Sequence, residues 1–274
     1  MAKPQLSNSA KPATYEVEAY NERGEMVPTA IAGEHPLTLY VDKREIVTLM
    51  TLGHAPEALV IGYLRNQRLV SSVEELSSVQ VDWETESAAV VTVHKKELQI
   101  GKRTVTSGCG QGTVFGDLME EVDQIELRKD VLLEDSKLFA LLEKVRKHET
   151  IYKQAGAVHG CALCTLDGEI LMFVEDVGRH NAVDAIAGFM WLDAIDGSDK
   201  VFYTTGRLTS EMVIKCAQMR IPFLVSRSGL TQMGYAIARR VGITMLGRAS
   251  GKHYLAFTGK ERLIRTTPQP TALA

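Results

Sequence analysis

The chain has 274 residues, four cysteines and a formal net charge of −3, and 45% of its residues are hydrophobic. This length is enough for one large domain or two smaller ones, each with its own core. The charge is close to neutral and includes no long basic run, which disfavours nucleic-acid or membrane-surface binding. No apolar stretch reaches membrane-spanning length, and residues 1–13 lack the apolar centre of a secretory signal. Four cysteines in a chain this long do not form a disulfide framework, so we expect a cytoplasmic, reducing location.

The N-terminal part is predicted to be a short tail followed by a β-rich unit. Residues 1–30 are interpreted as a disordered or extended tail, because the first dozen are poor in hydrophobic residues. A hairpin is predicted from Leu37–Val41 and Glu45–Met50, and Pro56 is expected to open a helix over residues 57–66. Further strands are predicted at Val79–Val81, Ala88–Val93, Leu98–Ile100 and Arg103–Thr106. These elements predict a β-rich α+β unit over residues 31–130.

The second half of the chain alternates helices and strands. Asp135 begins a helix with an apolar stripe, and Asp167-Gly168 is predicted to join two strands, 158–165 and 170–175, as a hairpin. Three more helices are predicted at 181–195, 209–220 and 231–241, and three more strands at 200–204, 223–226 and 243–246. This order predicts a mixed sheet flanked by helices over residues 131–260, with 261–274 as a tail. The fold class is therefore α/β, or α+β overall.

One cysteine lies in an unusual setting, the run Gly108-Cys109-Gly110-Gln111-Gly112. Glycines remove side-chain walls and allow the backbone to bend closely, which gives a thiol steric access. Thiol chemistry proceeds through the thiolate, so we expect Cys109 to be a nucleophile or carrier, and Lys102 or Arg103 to favour its ionised form. The alternative is a plain turn with a small buried residue.

Three predicted strand-to-helix turns combine glycine, arginine and small polar residues. Their candidate ligand-binding residues are Arg179, His180, Asn181, Gly206, Arg207, Ser226 and Arg227. Helix N-termini attract anions, arginine adds a planar fork for phosphate oxygens, and such turns share one edge of a parallel sheet. We therefore expect an anionic, phosphate- or nucleotide-containing ligand, although three independent helix caps would give the same pattern.

The other cysteines and one further histidine are weaker candidates for functional residues. Cys161 and Cys164 lie three apart on an apolar strand, which sends them to opposite faces, and no second pair completes a zinc site. Cys216 lies in the apolar stripe of a helix, so all three are expected to be buried. The role of His159 is left open, and we expect no metal.

The run Glu175-Asp176-Val177-Gly178-Arg179-His180-Asn181-Ala182-Val183-Asp184 resembles the signature of the formate dehydrogenase accessory protein family, FdhD. Four further segments resemble the same family in the same order. They are Leu37–Met50, Gly108–Gly110, Thr205–Arg207 with Glu211-Met212, and Gly242–Gly247. The resemblance extends from about residue 35 to residue 258.

The resemblance implies a sulfurtransferase of molybdenum cofactor maturation. Such a protein accepts sulfur from a cysteine desulfurase as a persulfide, here on Cys109. It passes the sulfur to the molybdenum or tungsten centre of the bis(molybdopterin guanine dinucleotide) cofactor before insertion into formate dehydrogenase. The implied cofactor-binding segment is Arg248-Ala249-Ser250-Gly251-Lys252-His253, with GDP as a ligand analogue. A homodimer and a C-terminal domain similar in fold to cytidine deaminases are also implied.

The chain departs from the family pattern at one position in the cysteine run. Many relatives have a second cysteine three residues after the first, where this chain has Gly112. A relay through one thiol fits this sequence. The alternative is a non-catalytic module that binds the cofactor or serves as a scaffold for formate dehydrogenase maturation. A deaminase-like hydrolase is a third idea, although His159 is not followed two residues later by the glutamate of the deaminase zinc motif.

Overall fold

The computed structural model describes residues 3–94, 104–105, 112–113, 124–148 and 150–266. Contacts divide the chain into two compact units. The first is Met1–Glu120, Glu149–Cys161 and Phe173–Ile195, and the second is Glu121–His148, Ala162–Met172 and Asp196–Ala274. No helix among the described residues is both long and apolar enough to span a lipid bilayer.

The first unit is built around a five-stranded sheet. The strands of the whole unit are β1 (Gln5–Leu6), β2 (Thr14–Tyr20), β3 (Met26–Ala32), β4 (His35–Val41), β5 (Arg44–Thr51), β6 (Leu76–Asp82), β7 (Ser87–Thr92), β8 (Thr104–Val105) and β9 (Gly112–Thr113). The sheet order is β1-β6-β7-β4-β5, while β2 pairs with β3 and β8 with β9. The predicted β4–β5 hairpin is confirmed, and both turn residues, Asp42 and Lys43, have positive φ angles of 48° and 73°.

Six α-helices lie within the described residues. They are α1 (Pro56–Asn66), α2 (Asp135–His148), α3 (Ile151–Ala155), α4 (Arg179–Leu192), α5 (Ser210–Gln218) and α6 (Gln232–Val241). In the first unit, α1 begins at Pro56 as predicted, since proline suits the first helical position. Helix α1 packs closely against α4, and Gly62 and Gly188 lie at the contact.

The second unit contains the parallel strands that position the candidate site. Its strands are β10 (Leu133–Glu134), β13 (Lys200–Thr204), β14 (Phe223–Ser226), β15 (Thr244–Ser250), β16 (His253–Thr258) and β17 (Leu263–Ile264). Strands β11 (His159–Thr165) and β12 (Ile170–Asp176) have residues in both units. The sheet order is β12-β11-β13-β14-β15-β16. Strands β13, β14 and β15 are parallel, and the edge strand β16 is antiparallel to β15.

Local capping interactions at both ends of helix α6 explain its bounds, which lie close to those predicted from the sequence. At its start, the hydroxyl oxygen of Thr231 accepts a hydrogen bond of 3.1 Å from the Gly234 amide, an N-cap contact. At its end, Gly242 adopts a left-handed conformation with φ of 77°, which most side chains avoid. Both signals are local, so they are visible in the sequence.

Both segments predicted as tails contain paired strands. Within residues 1–30 the chain forms β1, β2 and most of β3, and β2 pairs with β3 from Thr14↔Ala32 to Tyr20↔Met26. Within the predicted tail 261–274, β17 pairs with β10, and the Asp135 carboxylate accepts hydrogen bonds from the Thr266 amide and hydroxyl. Backbone pairing orders both segments without a long apolar run, so composition underestimated them.

The units also differ from the predicted boundary between residues 130 and 131. Residues 149–161 and 173–195 belong to the first unit with the N-terminal sheet. Helix α4 begins at Arg179, two residues earlier than predicted, so Arg179 and His180 lie in its first turn. The predicted strand over 98–100 lies outside the described residues.

Candidate functional site

Two of the predicted turns meet at one edge of the second unit. Because β13 and β14 are parallel, the loops that follow them leave the sheet on the same side. The loops are joined by two backbone hydrogen bonds, from the Leu208 amide to the Gly229 carbonyl (3.0 Å) and from the Thr231 amide to the Leu208 carbonyl (3.1 Å). The structure therefore brings Arg207 and Arg227 onto neighbouring loops, and both side chains are exposed.

Ser226 connects these two loops through hydrogen bonds. Its buried hydroxyl donates to the Gly206 carbonyl (2.6 Å) and accepts from the Ser228 amide (2.9 Å). The Gly206 amide in turn donates to the Thr204 hydroxyl oxygen (3.0 Å). The observed contacts of Ser226 and Gly206 hold the loop backbone in place, and their role as ligand contacts stays a prediction. The side chains of Arg207 and Arg227 beside them are exposed at the same edge.

The segment Arg248–His253 lies at the same edge. The Arg248 amide donates to the Ser228 carbonyl (2.9 Å), which ties this segment to the loop after β14. The chain then reverses, since Ser250 pairs with His253 and Gly251 has a φ of 56°. Ala249 is buried, whereas Arg248, Ser250, Gly251, Lys252 and His253 are exposed. This edge therefore carries the exposed side chains of Arg207, Arg227, Arg248 and Lys252, a cationic surface suited to an anionic ligand.

The third predicted turn lies in the first unit and is buried. The exposed fractions of Arg179, His180 and Asn181 are only 5%, 1% and 2%. All three belong to the first turn of α4 and not to an open loop. Their joint action with the arginines of the second unit remains a prediction.

Asp176, just before that turn, is the centre of a buried hydrogen-bond cluster. Its Oδ2 accepts from the Thr51 hydroxyl (2.6 Å) and the Leu52 amide (3.0 Å). Its Oδ1 accepts from the Gly178 amide (2.9 Å) and from Nδ2 of Asn181 (2.8 Å). Burial raises the pKa of the Asp176 carboxyl, and these four hydrogen bonds oppose that rise.

Two further residues of the signature have structural contacts. The Asn181 side-chain amide also donates to the Met50 carbonyl (2.7 Å), so it links the start of α4 to the end of β5. The Glu175 carboxylate accepts hydrogen bonds from the Ile151 amide (2.9 Å) and the Tyr152 amide (3.0 Å) at the start of α3. The signature thus holds together segments that are far apart in the sequence. Sequence reasoning missed Thr51 as a partner, because 125 residues separate it from Asp176.

The profile of the FdhD/NarQ family matches residues 32–264, which include both the Asp176 cluster and the cationic edge. The chain belongs to the FdhD/NarQ family. The resemblance noted in the sequence is thereby confirmed.

Curated relatives from several bacteria agree with this assignment. The protein named sulfur carrier protein FdhD from Listeria monocytogenes serovar 1/2a is 31% identical over 242 residues, covering 86% of this chain and 92% of the relative. The protein of the same name from Wolinella succinogenes is 30% identical, covering 84% and 81%. That from Bacillus subtilis is 28% identical, covering 88% and 94%.

A solved structure also matches the FdhD/NarQ chain. It is the crystal structure of a candidate formate dehydrogenase accessory protein from Desulfotalea psychrophila, 27% identical, with a TM-score of 0.76. The match covers 92% of this chain and all of the other. It confirms the α+β fold class, while the likeness to cytidine deaminases remains a prediction.

The described cysteines of this FdhD/NarQ chain are interior residues. Cys161, Cys164 and Cys216 are each fully buried and form no disulfide, as predicted. Burial raises the pKa of the Cys164 thiol to about 12, so almost none of it is thiolate near neutral pH. Cys109, Lys102 and Arg103 lie outside the described residues, and the role of Cys109 therefore stays a prediction. His159 is partly buried at the start of β11.

Proposed function

We propose that this chain is a sulfurtransferase that carries sulfur as a persulfide on Cys109 for formate dehydrogenase maturation. The observation that carries the proposal is the match to proteins named sulfur carrier protein FdhD over more than four fifths of the chain. The burial of Cys161, Cys164 and Cys216 supports Cys109 as the carrier, because a buried thiol is poorly accessible to a donor, and burial also raises the pKa of the Cys164 thiol. A cytoplasmic location fits a carrier that needs a reduced thiol.

The proposed chemistry begins with thiol–persulfide exchange. The Cys109 thiolate attacks the outer sulfur of a persulfide on a cysteine desulfurase. A new S–S bond forms on Cys109 while the donor's S–S bond breaks, and the desulfurase leaves as its thiolate, so no net electrons are exchanged. Delivery then breaks the S–S bond on Cys109. If the sulfur leaves as sulfide, a thiol reductant supplies the two electrons.

The proposed sulfur acceptor is the molybdenum or tungsten bis(molybdopterin guanine dinucleotide) cofactor, bound as a substrate. Its phosphates would meet the cationic edge formed by Arg207, Arg227, Arg248 and Lys252, with His253 beside them. Charge-assisted hydrogen bonds from arginine suit phosphate oxygens. A contribution from Arg179, His180 and Asn181, and a homodimeric assembly, belong to the same proposal.

The carrier role is tested by locating the sulfur. The protein is incubated with a cysteine desulfurase and cysteine, digested without reductant, and its peptides are weighed. We expect one extra sulfur on the Cys109 peptide. A Cys164→Ala variant is the matched control and should load equally well, because Cys164 is buried. Extra sulfur found only on Cys161 or Cys164 would contradict the assignment to Cys109.

The ligand-binding role is tested by calorimetry with GDP. Changing Arg207 and Arg227 together to glutamine should weaken GDP binding by about tenfold or more, because each removes a charge-assisted donor. Arg23→Gln, an exposed arginine in the loop between β2 and β3, is the control and should leave binding unchanged. Equal affinities for all three proteins would remove the cationic edge from the proposal.

A second candidate is a cofactor-binding scaffold that carries no sulfur itself. The observation that favours it is that the cationic edge is complete without any cysteine. Under this candidate, Cys109→Ser would still support a fully active formate dehydrogenase. Under the carrier proposal, Cys109→Ser keeps GDP binding and leaves formate dehydrogenase inactive.

A further inference from the structure

A groove runs between helix α6 and the edge strand β16 in the second unit. One part of it is a cavity of about 430 Å³ that extends from Tyr235 on the helix to Lys260 beyond the strand. A second cavity continues it towards Thr231 at the start of the helix, and the two share Tyr235, Ala256 and Phe257 as walls. The volume lies within the range of small-molecule sites, about 300 to 1,000 Å³. None of the proposed cofactor-binding residues lines either part.

The walls of the groove carry an excess of positive charge. Arg239, Lys260 and Arg262 line it, against a single carboxylate from Glu261. Arg239 and Lys260 are exposed, and neither forms an ion pair with any residue that the structure describes. The Arg239 guanidinium lies 5.8 Å from the centre of the Tyr235 ring, which holds it at the groove. Two cations are therefore available to an anion.

The third cation, Arg262, caps the C-terminal end of helix α6. Arg262 is buried, and its guanidinium donates to the carbonyls of Arg128 (3.2 Å) and Gly242 while it lies 5.4 Å from the centre of the Phe223 ring. The Gly242 carbonyl marks the end of α6, where unpaired carbonyls make the helix terminus negative. By capping it, Arg262 removes an obstacle to anion binding at this end of the groove.

Aromatic rings supply the apolar part of the walls. Tyr235 and Phe257 are both half-buried. The Phe257 ring lies against Gly247 so closely that an added Cβ there would be 2.9 Å from its Cε2 atom, which restrains the ring. The Tyr235 hydroxyl has no hydrogen-bond partner among the described residues. Aromatic faces beside unpaired cations match a flat ring that bears a negative group.

We propose that this groove binds a small ligand that combines a planar ring with a phosphate, of the size of a nucleoside monophosphate. The ring lies along Tyr235 and Phe257, and the phosphate meets Arg239 and Lys260. This site is separate in its residues from the cationic edge, so it would be present whether or not the chain carries sulfur.

Calorimetry with AMP and GMP tests the groove. We expect the unaltered protein to bind at least one of them, and uncharged adenosine or guanosine more weakly. Changing Arg239 and Lys260 together to glutamine should weaken binding by about tenfold or more, since two charge-assisted contacts are lost. Lys129→Gln removes one exposed lysine outside the groove and is expected to bind like the unaltered protein.

A second variant, which blocks the groove sterically, tests the proposal even if the double variant does not fold. Ala256 is exposed on the edge strand and lines both parts of the groove, so Ala256→Trp fills it without disturbing the core. It should abolish binding while the melting temperature stays close to that of the unaltered protein. The proposal is overturned if neither nucleotide binds, if the Ala256→Trp protein binds normally, or if binding is lost only when Arg207 and Arg227 are changed.

Discussion

A Gly62→Ala variant is expected to lose about 3 kcal/mol or more of its free energy of unfolding, because helices α1 and α4 touch at their backbones. A Cβ atom on Gly62 would lie 1.6 Å from the Asp184 carbonyl oxygen and 2.7 Å from the Gly188 amide nitrogen. The contact is reciprocal, since a Cβ on Gly188 would lie 1.9 Å from the Ala58 carbonyl oxygen. The methyl group meets backbone on both sides, so no side-chain rotation relieves the overlap.

The helices are also prevented from separating by polar contacts on either side of the crossing. The Asn66 side-chain amide donates to the Asp184 carboxylate (2.7 Å), and the Arg65 guanidinium donates to the Ala187 carbonyl (2.9 Å) while it lies over the Trp191 ring. Moving α1 outward to admit a methyl group would stretch these bonds. The cost therefore appears as lost stability and not as a small shift of one element.

Urea unfolding followed by circular dichroism measures this loss. The matched control is Gly229→Ala, where an added Cβ has no heavy atom within 4 Å and the backbone φ is unremarkable. We expect that control to change the free energy of unfolding by less than about 0.5 kcal/mol, as surface substitutions usually do. If Gly62→Ala unfolds at the same urea concentration as the control, the helices do not cross as closely as the structure indicates.

Elements with local signals were predictable from the sequence. Helices α1 and α6 have capping or breaking residues at their ends, Pro56 for one and Thr231 with Gly242 for the other. The β4–β5 hairpin has its turn at Asp42-Lys43. In each case the decisive interaction lies within a few residues of the chain, so a pattern in the sequence reports it directly.

The β2–β3 hairpin was missed for a physical reason. Its strands form a separate two-stranded sheet, and large apolar side chains such as Tyr20 remain exposed (75% for Tyr20). Tyr15, Val17 and Ala19 do alternate with Glu16 and Glu18, which is a strand pattern. The polar residues that precede β2 led to its inclusion in a predicted tail all the same.

Part of the candidate site was predictable from the order of the strands. Parallel strands place their C-terminal loops at one edge, so the proximity of Arg207 and Arg227 follows from strand order alone. The burial of Arg179 and His180 depends on contacts across the fold, which no local pattern reports. The close crossing of the helices at Gly62 is weakly indicated in the sequence, since a glycine inside a helical pattern often marks a close backbone approach.

An Asp176→Ala variant is expected to lose about 4 kcal/mol of its free energy of unfolding. The change leaves four donors in the interior without their acceptor, and each buried unsatisfied group costs about 1–3 kcal/mol, part of which water or local relaxation recovers. These donors belong to Thr51, Leu52, Gly178 and Asn181. The lost hydrogen bonds connect the start of α4 with the end of β5. We therefore expect unfolding to become less cooperative in that region.

Asp82→Ala is the matched control for this variant. Like Asp176, Asp82 is the last residue of a strand and accepts a hydrogen bond from the amide two residues later, here Glu84 (2.9 Å). Asp82 is exposed, so water replaces its contacts and we expect a loss below about 1 kcal/mol. Asp176→Asn should fall between the two, since its amide group faces donors that the carboxylate oxygen accepted. Urea unfolding ranks the three variants. Equal losses for Asp82→Ala and Asp176→Ala would mean that burial does not set the strength of the cluster, and the structural role assigned to the signature would then fail.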